Sequence, residues 1–152
     1  MGFIHKETVK MTGELYINGK DAWLEWGVNM GGDFLNAIDS FAPMKDYIEN
    51  ESRLEHGKRV LVKDPKVASR EMTLRFTIKG DDESDFRTKR KAFEAELQAG
   101  KVDVEIPALG DEVYHLIYLG KSVSYALSLS RTFCAMSSKF EEPNPMDRAR
   151  ND

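Results

Sequence analysis

Cysteine and histidine are both scarce in this sequence, which has one cysteine and three histidines. The single cysteine, Cys134, excludes an intramolecular disulfide. His5, His56 and His115 are not spaced from one another as metal ligands are. We therefore expect no metal site and no cofactor. The apolar neighbours of Cys134 predict that it is a small buried thiol without a catalytic role.

The motifs of nucleophilic and phosphate-transfer enzymes are also missing. No G-x-S-x-G elbow and no S-x-x-K set occurs, and Gly31-Gly32 lacks the spacing and the lysine of a phosphate-binding loop. Carboxylates are plentiful, but a pair such as Glu49 with Glu51 would support glycosidase chemistry only if it met in a cleft. We therefore predict that the chain has no catalytic residues and is not an enzyme.

Long apolar runs and an excess of basic residues are absent as well. No run approaches the roughly 18 apolar residues that a membrane helix needs, and Met1–Glu7 lacks the apolar core and cleavage pattern of a signal peptide. Acidic residues outnumber basic ones by 26 to 22, whereas proteins that grip phosphates usually carry a basic patch. The sequence thus predicts a protein made and kept in a cytoplasm, without membrane contact or specific nucleic-acid binding.

What the sequence does have is the composition of one globular domain. Its 152 residues are 41% hydrophobic and 32% charged, and a chain of this length buries enough surface to fold without a disulfide or metal. We predict a single β-sandwich domain over residues 1–140. From residue 141 to residue 152 the chain is polar and contains Pro143 and Pro145, which predicts a mobile C-terminal tail.

Alternation of apolar and polar side chains predicts most of the secondary structure. It is clearest at Met72–Lys79, the pattern of a strand with one buried face. A first strand, Glu14–Asn18, runs into the hairpin signal Asn18-Gly19, and Ala22–Val28 is predicted as the return strand. Further strands are expected at residues 47–48, 60–62, 101–106, 113–119 and, as one bent strand or two, within 122–140. The predicted fold class is mainly β (α+β), an antiparallel β-sandwich.

Two stretches change to the periodicity of a helix. The longer, residues 84–99, has acidic residues at its N-terminal end and is expected to flank the sheet. Its apolar stripe consists of Phe86, Phe93 and Leu97. The shorter helix is expected over residues 33–41, with Asp33 as its N-cap. Its apolar face consists of Phe34, Ile38 and Phe41.

The segment between the first hairpin and the short helix is the predicted protein interface. Trp23 and Trp26 would point to opposite faces of a regular strand, so one would be core and the other exposed or held by a partner. The alternative is that both pack inside. The glycine-containing loop that follows is either a segment that rearranges on assembly or only a loop. Because large apolar and aromatic side chains are favoured at interfaces, the predicted interface residues are Trp23, Trp26, Met30 and Phe34.

Two stretches resemble the N-terminal domain of phage distal tail proteins, a family also found in prophage tail-tip modules. The longer, residues 70–114, contains an alternating strand, a helix with a charged outer face and a second strand at Gly100–Pro107. The shorter, residues 45–59, is similar to the strand and glycine turn that precede the family's central strands. Together the two stretches cover about half of the chain.

The resemblance implies a β-sandwich with one flanking helix and a hairpin, assembled as a hexameric ring. Such a ring would join the tail tube to the tail tip, with itself and the neighbouring tube and tip proteins as partners. It would belong to a virion tail that is assembled in the bacterial cytoplasm. The sequence ends at residue 152 and has no room for a second, host-binding domain, so a connector role is expected.

Two other functions stay open at this point. A carbohydrate- or peptide-binding β-sandwich module would have a groove lined by Trp23 or Trp26, with polar groups beside it. The second open function is a small hydrolase that degrades the bacterial cell wall. The missing nucleophile and metal motifs argue against this function.

Overall fold

A computed structural model describes residues 11–150 of the chain. The predictions made on Met1–Glu7 and on His5 lie outside the described residues. Between residues 11 and 150, no helix is long and apolar enough to cross a membrane.

Antiparallel strands form most of the fold. The strands are β1 (Tyr16–Ile17), β2 (Lys20–Asp21), β3 (Val28–Met30), β4 (Ile48–Asn50), β5 (Arg59–Leu61), β6 (Arg70–Lys79), β7 (Lys101–Glu105), β8 (Val113–Tyr118), β9 (Ser124–Leu127) and β10 (Phe133–Glu142). Eight of them form one sheet in the order β2-β1-β7-β8-β10-β6-β3, with β9 beside β10, while β4 pairs only with β5. The sheet curls into a half-barrel, and the predicted mainly β fold is confirmed.

The longest strand pair lies at the centre of this sheet. Strands β6 and β10 pair from Phe133 opposite Lys79 to Glu142 opposite Arg70. Side chains of β6 alternate between the core and the outer surface, as the pattern at Met72–Lys79 predicted. Because side chains alternate along a strand, this register places every second residue of both strands in one core.

The flanking helix, α3, spans Glu83–Gln98 and packs its apolar stripe into the core. The Asp82 side chain caps its N-terminus by accepting from the Asp85 backbone amide at 2.8 Å. The chain leaves the helix through Gly100, whose φ of 100° is unfavourable for other residues. The predicted helix at residues 84–99 is therefore confirmed, with each end displaced by one residue.

The core is centred on the ring of Phe76. Its centroid lies 5.1 Å from that of Phe34, 5.2 Å from that of Phe93 and 5.9 Å from that of Phe140, all in edge-to-face geometry. Trp26 extends the cluster, with its ring 5.5 Å from Phe93. Edge-to-face aromatic pairs of this kind add stability beyond the area they bury. The cluster joins the sheet to the surrounding helices.

The predicted return strand Ala22–Val28 is wrong over most of its length. Residues Ala22–Trp26 form a short helix, α1, and strand geometry begins at Val28. The Asp21 side chain accepts from the first free amides of the helix. The helix ends at Gly27, which has a φ of 64° and lies so close to the Lys79 carbonyl that a Cβ would collide with it. Capping at both ends outweighs the strand preference of the tryptophans.

The predicted helix over residues 33–41 is too long. Helix α2 spans Phe34–Ile38, and Phe41 lies beyond it with its side chain 99% exposed. Asp33 precedes the helix in left-handed backbone geometry and makes no side-chain capping bond. The apolar spacing predicted one continuous face, but the chain leaves the core after Ile38.

A C-terminal segment follows β10 and is called the strap, residues 143–150. It lies against β8: the Val113 amide donates to the Arg148 carbonyl at 3.0 Å, and His115 Nε2 lies 2.8 Å from the Ala149 carbonyl oxygen. The polar composition of residues 141–152 predicted a mobile tail, and the first two of these residues, Glu141 and Glu142, form the end of β10. The contacts describe where the segment lies, and its mobility stays a prediction.

Candidate assembly interface

The most unusual part of the molecule is the segment between α2 and β6, called the arm, residues 41–69. None of its residues is buried, whereas every long element of the rest of the described chain contributes to the core. Its tip is the β4–β5 hairpin, in which Ile48 lies opposite Leu61 and Asn50 opposite Arg59. The short strands predicted at residues 47–48 and 60–62 are thus present, and they pair with each other rather than with the main sheet.

Backbone hydrogen bonds hold the two ends of the arm together. The Lys45 amide donates to the Lys66 carbonyl at 2.9 Å, and the Ala68 amide donates to the Pro43 carbonyl at 2.9 Å. Met44 and Val67 form an isolated bridge between these two bonds. The rest of the described chain, residues 11–40 and 70–150, is called the body. The chain therefore leaves and re-enters the body at one place, and the arm has a paired base and a paired tip.

Apolar side chains on the arm face outward. Leu54 is 96% exposed and Ile48 is 68% exposed. The other large apolar side chains exposed on the arm are Phe41, Met44, Tyr47, Val60, Leu61 and Val62. A two-stranded hairpin is marginally stable by itself, and clustered exposed apolar residues mark surfaces that contact a partner.

Ion pairs on the arm do not offset this exposure. Lys58 Nζ lies 2.9 Å from Glu49 Oε1, and Arg59 Nη2 lies 2.7 Å from Glu55 Oε1. All four side chains are well exposed. Exposed pairs of this kind contribute between zero and about 1 kcal/mol each. They fit a solvated surface, but they do not replace the packing that a core would provide.

A second exposed apolar patch lies on the body of the molecule and is called the β9 face. It consists of Val123, Tyr125, Leu127, Leu129 and Phe133. Strand β9 pairs with β10 along one edge, and no strand among residues 11–150 pairs with its other edge. An unpaired edge presents a row of free amides and carbonyls that another strand can pair with.

A cavity opens beside the β9 face, between β9 and α3. Its volume is about 90 Å³, and its wall includes Phe93, Leu97, Val123 and Tyr125. The Arg90 guanidinium lies over the Tyr125 ring, 5.1 Å from its centroid, and forms the polar rim. A drug-sized ligand needs about 300 Å³ or more, so this cavity is suited to a single apolar side chain from a partner.

The four predicted interface residues separate into two pairs. Trp26 and Phe34 are 3% and 1% exposed and belong to the core, so they offer no surface to a partner in the isolated chain. Trp23 on α1 and Met30 at the end of β3 are partly exposed. The stretch predicted as a glycine-containing loop therefore includes a strand, which pairs with β6. An interface at these four residues stays a prediction. Of the four, only Trp23 and Met30 offer exposed surface to a partner.

Sequence reasoning missed the apolar residues of the arm and of the β9 face. The run Val60–Val62 has three consecutive apolar residues, which is consistent with a strand buried on both sides. In the structure the same run is exposed on both sides. The one available signal was its surroundings, because charged residues flank the run closely at Arg59 and Lys63.

The reactive side chains do not converge on a site. Burial raises the pKa of the Cys134 thiol above its usual value, which disfavours the thiolate that a nucleophile needs. Between residues 11 and 150, no three His, Cys, Asp or Glu side chains are grouped as a metal site would require. Glu49 is paired with Lys58 on the exposed arm. The predictions that the chain binds no metal and is not an enzyme stay predictions.

Comparison with known proteins gives a fold relationship. No protein-family model matches the chain, and no curated protein matches it. A solved structure of the SPP1 Dit protein, described as a paradigm of the hub adsorption apparatus in phages that infect Gram-positive bacteria, has a TM-score of 0.58 and 14% sequence identity. The match covers 87% of this chain and 50% of the Dit chain. This chain therefore shares its fold with about half of a phage hub protein.

Proposed function

We propose that this protein is a structural component of a phage or prophage tail, a distal tail connector that assembles into a hexameric ring between tail tube and tail tip. The observation that carries the proposal is the arm, which exposes apolar side chains and has no buried residue. The fold shared with a phage hub protein supports the same reading. An arm of this kind gains its packing from a second protein rather than from its own chain.

The ring is formed by a heterologous contact, in which the arm of one copy packs on the β9 face of the next. A closed ring requires two different patches on each subunit, repeated by rotation. The arm and the β9 face are two such patches, both apolar and both with unpaired strand edges. An arm strand added to the free edge of β9 would place an apolar side chain over the cavity beside Tyr125.

The role is structural rather than catalytic. The partners are further copies of the chain and the neighbouring tube and tip proteins, and the site of action is the virion tail after assembly in the bacterial cytoplasm. Specific nucleic-acid binding and membrane contact are not proposed, since acidic residues outnumber basic ones and the formal net charge is −4.

The test is the mass of the purified protein by light scattering over a concentration series, with negative-stain images of the same samples. Hexameric rings are expected at high concentration. The variant Leu61→Asp places a charge on the arm and should remain monomeric. Leu24→Asp, at an exposed leucine on α1, is the matched control and should still form rings. A wild-type protein that stays monomeric at every concentration, alone and with the neighbouring tail proteins, would contradict the proposal.

A second candidate is a peptide-binding module. The free edge of β9 beside an apolar cavity also fits an extended peptide with one apolar anchor side chain. The carbohydrate version is less well supported, since Trp26 is buried against Phe93 and has no free ring face. Tyrosine and tryptophan fluorescence titrated with peptide and glycan panels tests this candidate. A response to peptides in a strictly monomeric protein would favour it over the ring.

A further inference from the structure

We infer that the strap is a latch for the arm: its docking holds the base of the arm in place through one buried charge network, and its release loosens that base. The use of such a latch in assembly rests on the proposed function. The coupling itself is a property of the single chain.

The centre of the network is Glu142, the last residue of β10, whose side chain is completely buried. Its Oε1 accepts from Arg70 Nε at 2.7 Å and from Arg148 Nη2 at 3.1 Å. Its Oε2 accepts from Arg148 Nε at 3.0 Å. One carboxylate therefore joins an arginine at the start of β6 to an arginine in the strap, and these are charge-assisted bonds of the stronger kind.

Arg70 continues the network to the point where the arm leaves the body. Its Nη2 donates to the Ile38 carbonyl at 2.6 Å, and its Nη1 donates to the Ser40 carbonyl at 2.8 Å. Ile38 ends α2 and Ser40 immediately precedes the arm, while Arg70 immediately follows it. A single guanidinium thus ties together the beginning and the end of the arm.

Tyr114 links the two arginines a second time. Its ring centroid lies 4.7 Å from the Arg148 guanidinium carbon and 5.9 Å from that of Arg70. Both cations therefore contact the same aromatic ring as well as the same carboxylate. This arrangement makes the positions of the two guanidinium groups depend on each other.

The remaining contacts of the strap do not reach the arm. The Arg148 carbonyl accepts from Val113, the Ala149 carbonyl contacts His115, and Arg150 lies 3.0 Å from Glu105. These contacts attach the strap to β8 and to the end of β7, and Arg148 Nη1 also lies 3.9 Å from Glu112 Oε2. The side chain of Arg148 is the part of the strap that enters the network, and Arg150 is a cation of the same strap outside it.

Removing the Arg148 side chain takes away the donor to Glu142 Oε2. A buried acceptor without a donor is costly, so the carboxylate is expected to turn toward the space that the strap has left. Arg70 is bonded to the same carboxylate and would follow it, which weakens its bonds to the Ile38 and Ser40 carbonyls. The base of the arm would then open more often, although none of its own residues has changed.

Hydrogen–deuterium exchange of the full chain, at a dilution where the wild type is monomeric, tests the latch. Exchange is followed at the Lys45 and Ala68 amides, whose bonds close the base of the arm. We expect Arg148→Ala to raise exchange there about tenfold, which corresponds to about 1.4 kcal/mol in the opening equilibrium. Arg150→Ala should free the end of the strap and leave both amides unchanged. Arg148→Lys keeps a cation but not the fork, so a smaller increase is expected.

The latch would be overturned if Arg148→Ala raised exchange within the strap and at Val113 only, or if Arg150→Ala loosened the arm equally. If Arg148→Ala fails to fold, the comparison of Arg148→Lys with Arg150→Ala still decides the matter in the same way. Because the exchange is measured on monomers, failure of the ring would not affect this result. Failure of the latch would likewise leave the light-scattering result standing.

Discussion

The body and the arm of this molecule treat the same kind of residue in opposite ways. In β6, the apolar residues Leu74 and Phe76 are fully buried between polar neighbours that face solvent. In the arm, Leu61 and Leu54 belong to a segment with no buried residue. The body builds the core from such residues and leaves others exposed at the β9 face, whereas the arm buries none of its own.

Apolar content alone therefore does not mark a core. What separates the two regions is the number of layers that can cover a side chain. Residues of β6 have β3 and β10 on either side and α2 or α3 above them. The arm has only its own second strand. Substitutions in the core of the body should therefore affect stability, and substitutions in the arm should affect association.

The largest expected loss of stability comes from Phe76→Ala. Phe76 contacts three other aromatic rings in the core, and a large-to-small change at such a site costs about 3–5 kcal/mol. Urea denaturation followed by far-UV circular dichroism measures it. Leu54→Ala, at the tip of the arm, is the matched control and should change the free energy of unfolding by less than about 0.5 kcal/mol. Equal losses of stability for both variants would show that the arm contributes as much to folding as the core does.

The second prediction concerns the point where body and arm meet. Glu142→Gln removes the buried charge that pairs with Arg70 and Arg148, and uncompensated buried charges cost about 3 kcal/mol or more. Glu141→Gln, at the preceding and partly exposed residue, should be nearly neutral. Urea denaturation of both variants measures the difference. A nearly neutral Glu142→Gln would mean that the network contributes little to the body.

A smaller effect is expected at the cap of α1. The Asp21 side chain accepts from the Trp23 and Leu24 amides and from the Gly13 amide. Losing an N-cap costs about 1 kcal/mol, so Asp21→Ala should lower the free energy of unfolding by about that amount. Glu25→Ala in the same helix should change it by less. Thermal or urea denaturation of both variants measures the difference. Equal losses of stability for Asp21→Ala and Glu25→Ala would show that the cap is unimportant.

The smallest expected effect is a pH dependence of the free energy of unfolding, which arises where His115 contacts the strap. Burial by itself would lower the pKa of His115, but hydrogen bonds to Asp103 and to the Ala149 carbonyl, with the charges of Asp103 and Asp147, outweigh it and raise the pKa. The folded chain therefore holds this proton more tightly than the unfolded chain. The resulting stability is complete below about pH 6.5 and is lost as pH rises through the raised pKa.

The difference in free energy of unfolding between wild type and His115→Gln isolates this effect from the other histidines. We expect this difference in free energy to be larger at pH 5.5 than at pH 8.5, by less than about 1 kcal/mol. A difference that does not change with pH, or that grows toward alkaline pH, would show that His115 does not help to hold the strap in this way.

How much could be predicted from sequence differs between elements for physical reasons. Strand β6 and helix α3 were predictable because each has one buried face and one solvent-facing face. Apolar and polar residues therefore alternate with the period of a strand or of a helix. Helix α1 was not predicted, because its tryptophans favour a strand. The helix forms because Asp21 and Gly27 cap its two ends. Those two residues were a signal in the sequence, since a capping acid and a following glycine bracket a helix.

The candidate site was less predictable than the fold. The exposure of Leu61 depends on where the arm points, which no local pattern encodes. The pairing of Arg70 with Glu142 depends on the register of β6 and β10 across 72 residues of sequence. Trp26 was predicted at an interface because of its size, and the same property fills the core beside Phe93.

Mixing two defective variants tests most directly whether the arm of one copy binds the β9 face of the next. Leu61→Asp alters the arm but leaves the β9 face intact, and Leu127→Asp alters the β9 face but leaves the arm intact. If the arm of one copy binds the β9 face of the next, each variant alone is a monomer, and an equimolar mixture forms heterodimers through the one intact contact. Light scattering that finds only monomers in the mixture, or rings of either variant alone, would contradict the account.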